Sequence, residues 1–267
     1  MSARPDAIAP RPILSLRAVG VSFRGVRALD DITFDVPQGG VTAVIGPNGA
    51  GKTTLFNCIS GIYRHEGDIE LDGDALRHLR AHQRTSAGIA RTFQTPTLLD
   101  TEDVFQNVLA GTQAWTTSGL AGVLIGSRKA RREEREARDV AWQHLTAVGL
   151  AESAGRLAGA LAHADRRRVE VARALASRPR ILMLDEPAAG LSAAESDELL
   201  ALIAAQSRTT GMTSILVEHD VALVMRTARW IAVLDAGKLL ATGYPDEIRA
   251  NPAVVAAYLG VDAEVAA

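Results

Sequence analysis

Four short apolar runs, Val41–Ile45, Ile181–Leu184, Ser214–Val217 and Ile231–Leu234, each break off at a glycine or an acid and are separated by longer stretches of mixed character. Each is too uniformly apolar for a strand with one wet side and reads as a strand buried on both faces. Runs of this kind alternating with helical segments predict a mainly parallel sheet covered by helices, an α/β fold. Around the first run the texture changes to alternation, in Leu14–Val19 and Gly67–Gly73, which suits half-exposed antiparallel strands closed by turns. A small antiparallel β layer is therefore expected beside the main sheet. From Thr101 to Leu161 no strand-like run occurs. The charged stretch Arg128–Arg138 sets Arg132 with Glu136 and Glu134 with Arg138 at i,i+4 spacing, so it reads as a helical insertion with a solvated face. The organisation expected is one domain over residues 13–250 with a helical subdomain inserted at about 96–167. Residues 1–12 are expected to be flexible and the alanine-rich 251–267 to form a loose tail.

Composition narrows the class. At 267 residues and 47% hydrophobic, the chain suffices for one large domain with its own core. A net charge of −2 supplies no basic field for nucleic acid or for an anionic membrane surface. The longest apolar stretches, Gly119–Gly126 and Leu199–Ala205, fall far short of the roughly 18 residues a membrane span needs. The first residues lack the apolar core of a secretory signal, and the single cysteine, Cys58, can form no internal disulfide. The expectation is a soluble cytoplasmic protein with Cys58 packed in its core, any link to a membrane running through a partner.

The chemistry gathers at strand ends. Gly46-Pro47-Asn48-Gly49-Ala50-Gly51-Lys52-Thr53-Thr54 follows an apolar strand and precedes a helical segment, with two glycines spaced to let a tight loop point backbone N–H groups at phosphate oxygens. The next helix adds the positive end of its dipole. In such a loop Lys52 brings mobile positive charge to the β and γ phosphates, and the Thr53 hydroxyl suits the magnesium ion that bridges them. The run Ile181–Leu184 ends in Asp185 and Glu186, where ligands collect in open α/β sheets. Asp185 is placed to hold magnesium and Glu186 to orient and polarise an attacking water. Val217-Glu218-His219-Asp220 closes another apolar run in the same way, and the His219 imidazole near a γ-phosphate would help to position it.

With these three motifs in this order the chain resembles the ATP-binding subunits of ABC transporters from about Ile13 to Gly260. The resemblance implies the P-loop NTPase (ABC ATPase) fold, with ATP and Mg2+ as cofactors. Phe23 matches the aromatic on which adenine stacks, a core-strand aromatic being the other reading. Gln94, in Arg91-Thr92-Phe93-Gln94, matches the glutamine that links the magnesium site to the helical insertion, and Thr95–Asp100 would face a membrane partner. Pro187–Ser192 resembles the loop through which two such subunits touch. Within the family, Leu182–Leu191, Val217–Asp220, Val104–Leu109 and the closing Ala257-Tyr258-Leu259-Gly260 are similar to importers of branched-chain or other hydrophobic amino acids. The partners implied are membrane permease subunits, a second ATP-binding subunit and, indirectly, a substrate-binding protein, without nucleic acid. The localisation implied is peripheral, on the inner face of the cell membrane. Open alternatives are an exporter of lipid or lipopolysaccharide, a urea or amide importer, a soluble ABC ATPase acting on nucleic acid, and an ATP-gated clamp that hydrolyses poorly.

One stretch departs from the family. Where a signature close to Leu-Ser-Gly-Gly-Gln is expected, the chain has Leu161-Ala162-His163-Ala164-Asp165. Ala162 removes a hydroxyl, Ala164 adds a methyl, and Asp165 brings negative charge toward an anion site. This favours an asymmetric heterodimer over a homodimer, with a partner's intact signature completing the site of Lys52, Asp185, Glu186 and His219.

Overall fold

Buried strands take up all four apolar runs in a computed structural model that describes residues 11–94, 97–117 and 127–265. In chain order the strands are β1 (Pro12–Phe23), β2 (Val26–Pro37), β3 (Gly40–Ile45), β4 (Glu66–Leu71), β5 (Asp74–Ala75), β6 (Ile89–Arg91), β7 (Ile181–Asp185), β8 (Thr213–Val217), β9 (Trp230–Asp235) and β10 (Lys238–Gly243). The helices are α1 (Lys52–Ile59), α2 (Ala81–Ser86), α3 (Val104–Ala110), α4 (Arg128–Ala147), α5 (His163–Ala176), α6 (Ala193–Thr210), α7 (Val221–Thr227), α8 (Pro245–Ala250) and α9 (Pro252–Val265). The chain divides into two compact units, one formed by the stretches up to Arg80 and from Gln206 onward, the other by Ala81–Ala205.

The first unit holds two sheets. In one, β3 lies between β8 and β9 and is parallel to both, and β10 returns antiparallel to β9. Every residue of β8 and the last five of β3 are buried, as continuous apolar runs require. Helices α7, α8 and α9 cover this sheet through a core that includes Ile45, Val224, Ile231, Val233, Ile248 and Val254. The other sheet is antiparallel in the order β2-β1-β4-β5. Its β2 buries Leu29, Ile32, Phe34 and Val36 beneath solvated neighbours. The alternation in β1 shifts between Leu16 and Val19, where Ala18 takes a left-handed backbone with φ 51°. Cys58 is buried on α1.

In the second unit β6 runs parallel to β7. Helices α3, α4 and α5 close around Val104, Val108, Ala141, Leu145, Val169 and Ala172, a core of small and branched side chains. Asp103 caps α3 by accepting from the Gln106 N–H, and Ser127 caps α4 by accepting from Ala130. Glu134 meets Arg138 as spaced, whereas Glu136 reaches Arg178 at 2.7 Å.

The alanine-rich end departs from expectation. It is helical from Pro252 to Val265, with Val254 buried and Tyr258 packed on the first unit's core. Alanine costs no side-chain entropy in a helix, and two apolar anchors suffice to dock it. Helix also continues beyond residue 167, because α5 runs on to Ala176. Among the described residues no helix is long and apolar enough to cross a membrane.

Candidate functional site

In the first unit the loop from Gly46 to Gly51 joins β3 to α1. Only glycine fits at its two ends. A Cβ at Gly46 would stand 2.1 Å from the Leu234 carbonyl oxygen, and one at Gly51, where φ is 98°, would stand 2.7 Å from Leu29 Cδ2. The turn is closed by Ala50 N–H donating to Pro47 O at 3.2 Å, and Gly237 N–H donates to Ala50 O at 3.2 Å. Asn48 and Gly49 are exposed at the tip, Ala50 is buried, Thr53 is exposed and Thr54 half-buried. Lys52 is buried, its Nζ donating to Gly46 O at 2.7 Å and to Pro47 O at 3.0 Å. The ammonium thus lies folded across the mouth of the loop. Burial pushes the phenol of Tyr258 on α9 up to about 12, and the Gly46 backbone pulls it back.

His219 follows β8 in an exposed position, its N–H donating to Glu218 Oε2 at 3.3 Å, while Asp220 caps α7 through Leu223 N–H at 2.9 Å. Phe23 ends β1 partly exposed, and Tyr63 packs edge-on against it with centroids 5.1 Å apart. Exposure of the ring leaves room for a planar base.

The second unit holds the carboxylates. Asp185 closes β7, and its Oδ2 receives Arg91 Nη2 at 2.8 Å, both side chains 7% exposed. Arg91 comes from the neighbouring β6, whose register sets it opposite Met183. Glu186 takes a left-handed backbone with φ 49°, unusual for a residue with a side chain and of the kind that clusters at functional positions. Its Oε2 accepts from Gln94 Nε2 at 2.8 Å. Two predicted residues separated by 92 positions are therefore brought into direct contact. Thr95 and Pro96, the start of the segment read as facing a partner, lie outside the described residues.

Within the stretch aligned with the signature, Ala162 flanks α5 without a side-chain cap. Asp165 sits in the first turn of α5, where it suits that helix's own dipole and disfavours an approaching anion. The His163 ring lies beside Gly190, whose added Cβ would stand 3.1 Å from Cε1.

Pattern reading missed Arg91 as the partner of Asp185, and it missed the buried pair Arg167 and Glu170, 3.1 Å apart on α5. The only available signal for the pair was opposite charge at i,i+3 on a helical segment, which solvated helices share.

Each unit offers donors of a kind that suits a magnesium nucleotide. Among the described residues no cluster of three or more His, Cys, Asp or Glu could hold a metal alone. Magnesium is commonly bound through one or two protein oxygens plus phosphates and water; the exposed Thr53 hydroxyl of the first unit is a hard donor of that kind, and so, within the second unit, is the Asp185 carboxylate, there paired with Arg91.

A buried strand, a glycine loop ending in Lys-Thr and a helix, set on a parallel sheet, define a nucleoside-triphosphate-binding α/β protein. The family model described as ABC transporter matches residues 29–189, and a second, described as branched-chain amino acid ATP-binding cassette transporter, matches residues 238–264. The chain belongs to the ABC transporter family, as an ATP-binding protein of its ATPase class. It is 43% identical over 251 residues to the high-affinity branched-chain amino acid transport ATP-binding protein BraF of Pseudomonas aeruginosa, covering 94% of this chain and 98% of the relative. It is 41% identical, with the same coverage, to the corresponding protein LivG of Escherichia coli. Among solved structures, the ADP conformation of MJ1267, an ATP-binding cassette of an ABC transporter, superposes with a TM-score of 0.81 at 28% identity, covering 94% of this chain and 99% of the other. A nucleotide-free ATP-binding cassette superposes with a TM-score of 0.80 at 28% identity, covering 93% and 99%.

Proposed function

We propose that this chain binds ATP with magnesium and hydrolyses it to drive an importer of branched-chain amino acids. The observation that carries hydrolysis, beyond binding, is the Gln94–Glu186 contact at 2.8 Å, with Glu186 held in a left-handed backbone at the end of β7. The relatives named above support the transported substrate.

The Gly46, Asn48, Gly49, Ala50, Gly51, Lys52, Thr53 and Thr54 backbone supplies N–H groups to the phosphates, and Lys52 swings from its carbonyls to the β and γ oxygens. Phe23 stacks on adenine. Thr53 and Asp185 hold magnesium, with Gln94 beside it, and the ion, when bound, neutralises charge on the phosphates. Glu186 orients and polarises the attacking water, and His219 helps to place the γ-phosphate. Residues 13–250 act as one ATPase module whose helical part, read from the sequence as about 96–167, runs on to Ala176. The module works peripherally at the inner face of the membrane, through permease subunits.

Ala164 and the Asp165 carboxylate in the first turn of α5, with the missing hydroxyl at Ala162, favour pairing with a different ATP-binding subunit whose signature is intact. Loss of a hydrogen bond to a charged phosphate weakens a site by about 1.5–3 kcal/mol, so the two sites of such a pair differ.

Glu186→Gln tests the reading in the assembled transporter. ATP turnover falls about 100-fold or more while ATP binding is retained, and cellular uptake of leucine, isoleucine and valine is lost. Negligible turnover in the parent complex would show a clamp, undiminished turnover in the variant would remove Glu186 from the chemistry, and uptake of other solutes alone would remove the substrate assignment.

A further inference from the structure

Gln94 is held by backbone contacts that come from α5. Arg167 is almost fully enclosed, with 2% of its side chain exposed. Its Nη1 donates to Phe93 O at 2.6 Å and to Glu170 Oε2 at 3.1 Å, and its Nη2 donates to Gln94 O. Glu170, equally enclosed, accepts the Phe93 N–H on Oε1 at 3.2 Å. One buried ion pair on one helical turn thus grips the Phe93–Gln94 backbone by both its donor and its acceptors. Farther along the same helix, Arg173 holds the chain on the other side, donating to Thr97 O at 2.8 Å and to Thr97 Oγ1 at 3.1 Å.

Stability alone does not account for this arrangement. A buried ion pair can often be replaced by apolar side chains of similar size without loss, so its benefit lies in what it positions. The guanidinium fork suits two carbonyls and a carboxylate at once, which a lysine cannot match. Burial pushes the Glu170 carboxyl upward, and the Phe93 N–H and the Arg167 guanidinium pull it back.

We propose that Arg167 and Glu170 are positioning residues for hydrolysis: by fixing the Phe93–Gln94 backbone they set where the Gln94 carboxamide meets Glu186. Because Arg167 lies two residues beyond Asp165, the clamp also ties the signature-aligned start of α5 to the hydrolytic carboxylate of the same chain. A disturbance at the start of α5, which would face a partner subunit's nucleotide, then reaches Gln94 without passing through the phosphate loop. This inference rests on the reading of Glu186 as the water-activating carboxylate.

The test is a double-mutant cycle on the assembled transporter, with Arg167→Lys and Gln94→Ala alone and combined. Arg167→Lys is expected to lower kcat about tenfold with KM for ATP little changed, the scale of a small misplacement of a catalytic group. In the Gln94→Ala background the same substitution is expected to have no further effect. Hydrogen exchange of the peptide spanning residues 92–98 rises in Arg167→Lys, while that of the 46–53 loop stays as in the parent. Equal losses in both backgrounds, or a loss appearing only in KM, would overturn the clamp. Where Arg167→Lys fails to assemble, Glu170→Gln retains an acceptor for Phe93 N–H and is expected to show the same non-additivity. Glu186→Gln run in parallel separates the two ideas, since full turnover there removes the underlying reading, whereas its loss together with an additive cycle removes only the clamp.

Discussion

The two units hold their functional groups by different means. In the first, the phosphate loop is shaped by backbone: glycines where a Cβ cannot fit, carbonyls that receive Lys52, and turn hydrogen bonds. In the second, Asp185, Glu186 and Gln94 are set by side chains, through the enclosed pairs Arg91–Asp185 and Arg167–Glu170 and the Gln94–Glu186 contact. A backbone cradle for an anion demands particular residues at particular spacings. A side-chain scaffold demands only that complementary groups meet, whatever their separation along the chain. The first kind of site tolerates little change of sequence, and the second is open to tuning.

The sharpest way to break this comparison is Arg91→Met. Removing one member of a buried pair leaves the Asp185 carboxylate uncompensated, a loss of about 3 kcal/mol or more. For a chain of this size that lowers the thermal midpoint by roughly 6–12 °C in a calorimetric scan. An unchanged midpoint would mean that Asp185 is not held by its partner. Next comes Gly46→Ala, in which the new methyl meets the Leu234 carbonyl. Overpacking of this kind costs about 1–3 kcal/mol. Spent on the loop, it weakens ATP binding about 10- to 100-fold in a fluorescent-nucleotide titration. Normal affinity would show that the cradle is less exacting than its geometry.

The smallest effect expected concerns pH. His144, buried in the second unit, is held below its ordinary pKa by burial and then by the Arg178 guanidinium. Its Nδ1 meets no hydrogen-bond partner among the described residues. With the folded pKa depressed, the unfolded chain takes up the proton first as pH falls through about 6.5, so stability is full above that range and declines below it. The urea midpoint is expected to drop between pH 7.5 and pH 5.5, and His144→Leu to reduce the drop. An identical drop in the variant would assign the pH dependence to other groups.

The same contrast explains what was legible in the sequence. The four buried strands, the glycine loop and the acids closing β7 declare themselves, because periodicity and spacing are local properties. Arg91 and Asp185 stand 94 positions apart, and Arg167 and Phe93 stand 74 apart. Nothing near either member marks its partner. Charge on an α5 residue ordinarily signals a wet face, and only the packed structure shows that Arg167 is enclosed. The alanine-rich end misled for the opposite reason: its alanines suggested a loose tail, yet Val254 and Tyr258 are enough to dock a helix.

The docking of α9 on the first unit's core through Val254 and Tyr258 has a consequence for the order in which that unit is completed. The unit that carries the phosphate loop is assembled from both halves of the polypeptide, with all of Ala81–Ala205 synthesised in between. During translation the glycine loop emerges early and waits for β8, β9 and α9 to arrive, a long-range closure that is intrinsically slow. The unit of residues 81–205, by contrast, is contiguous along the chain. The loop's surroundings are therefore complete only when both ends of the polypeptide are present.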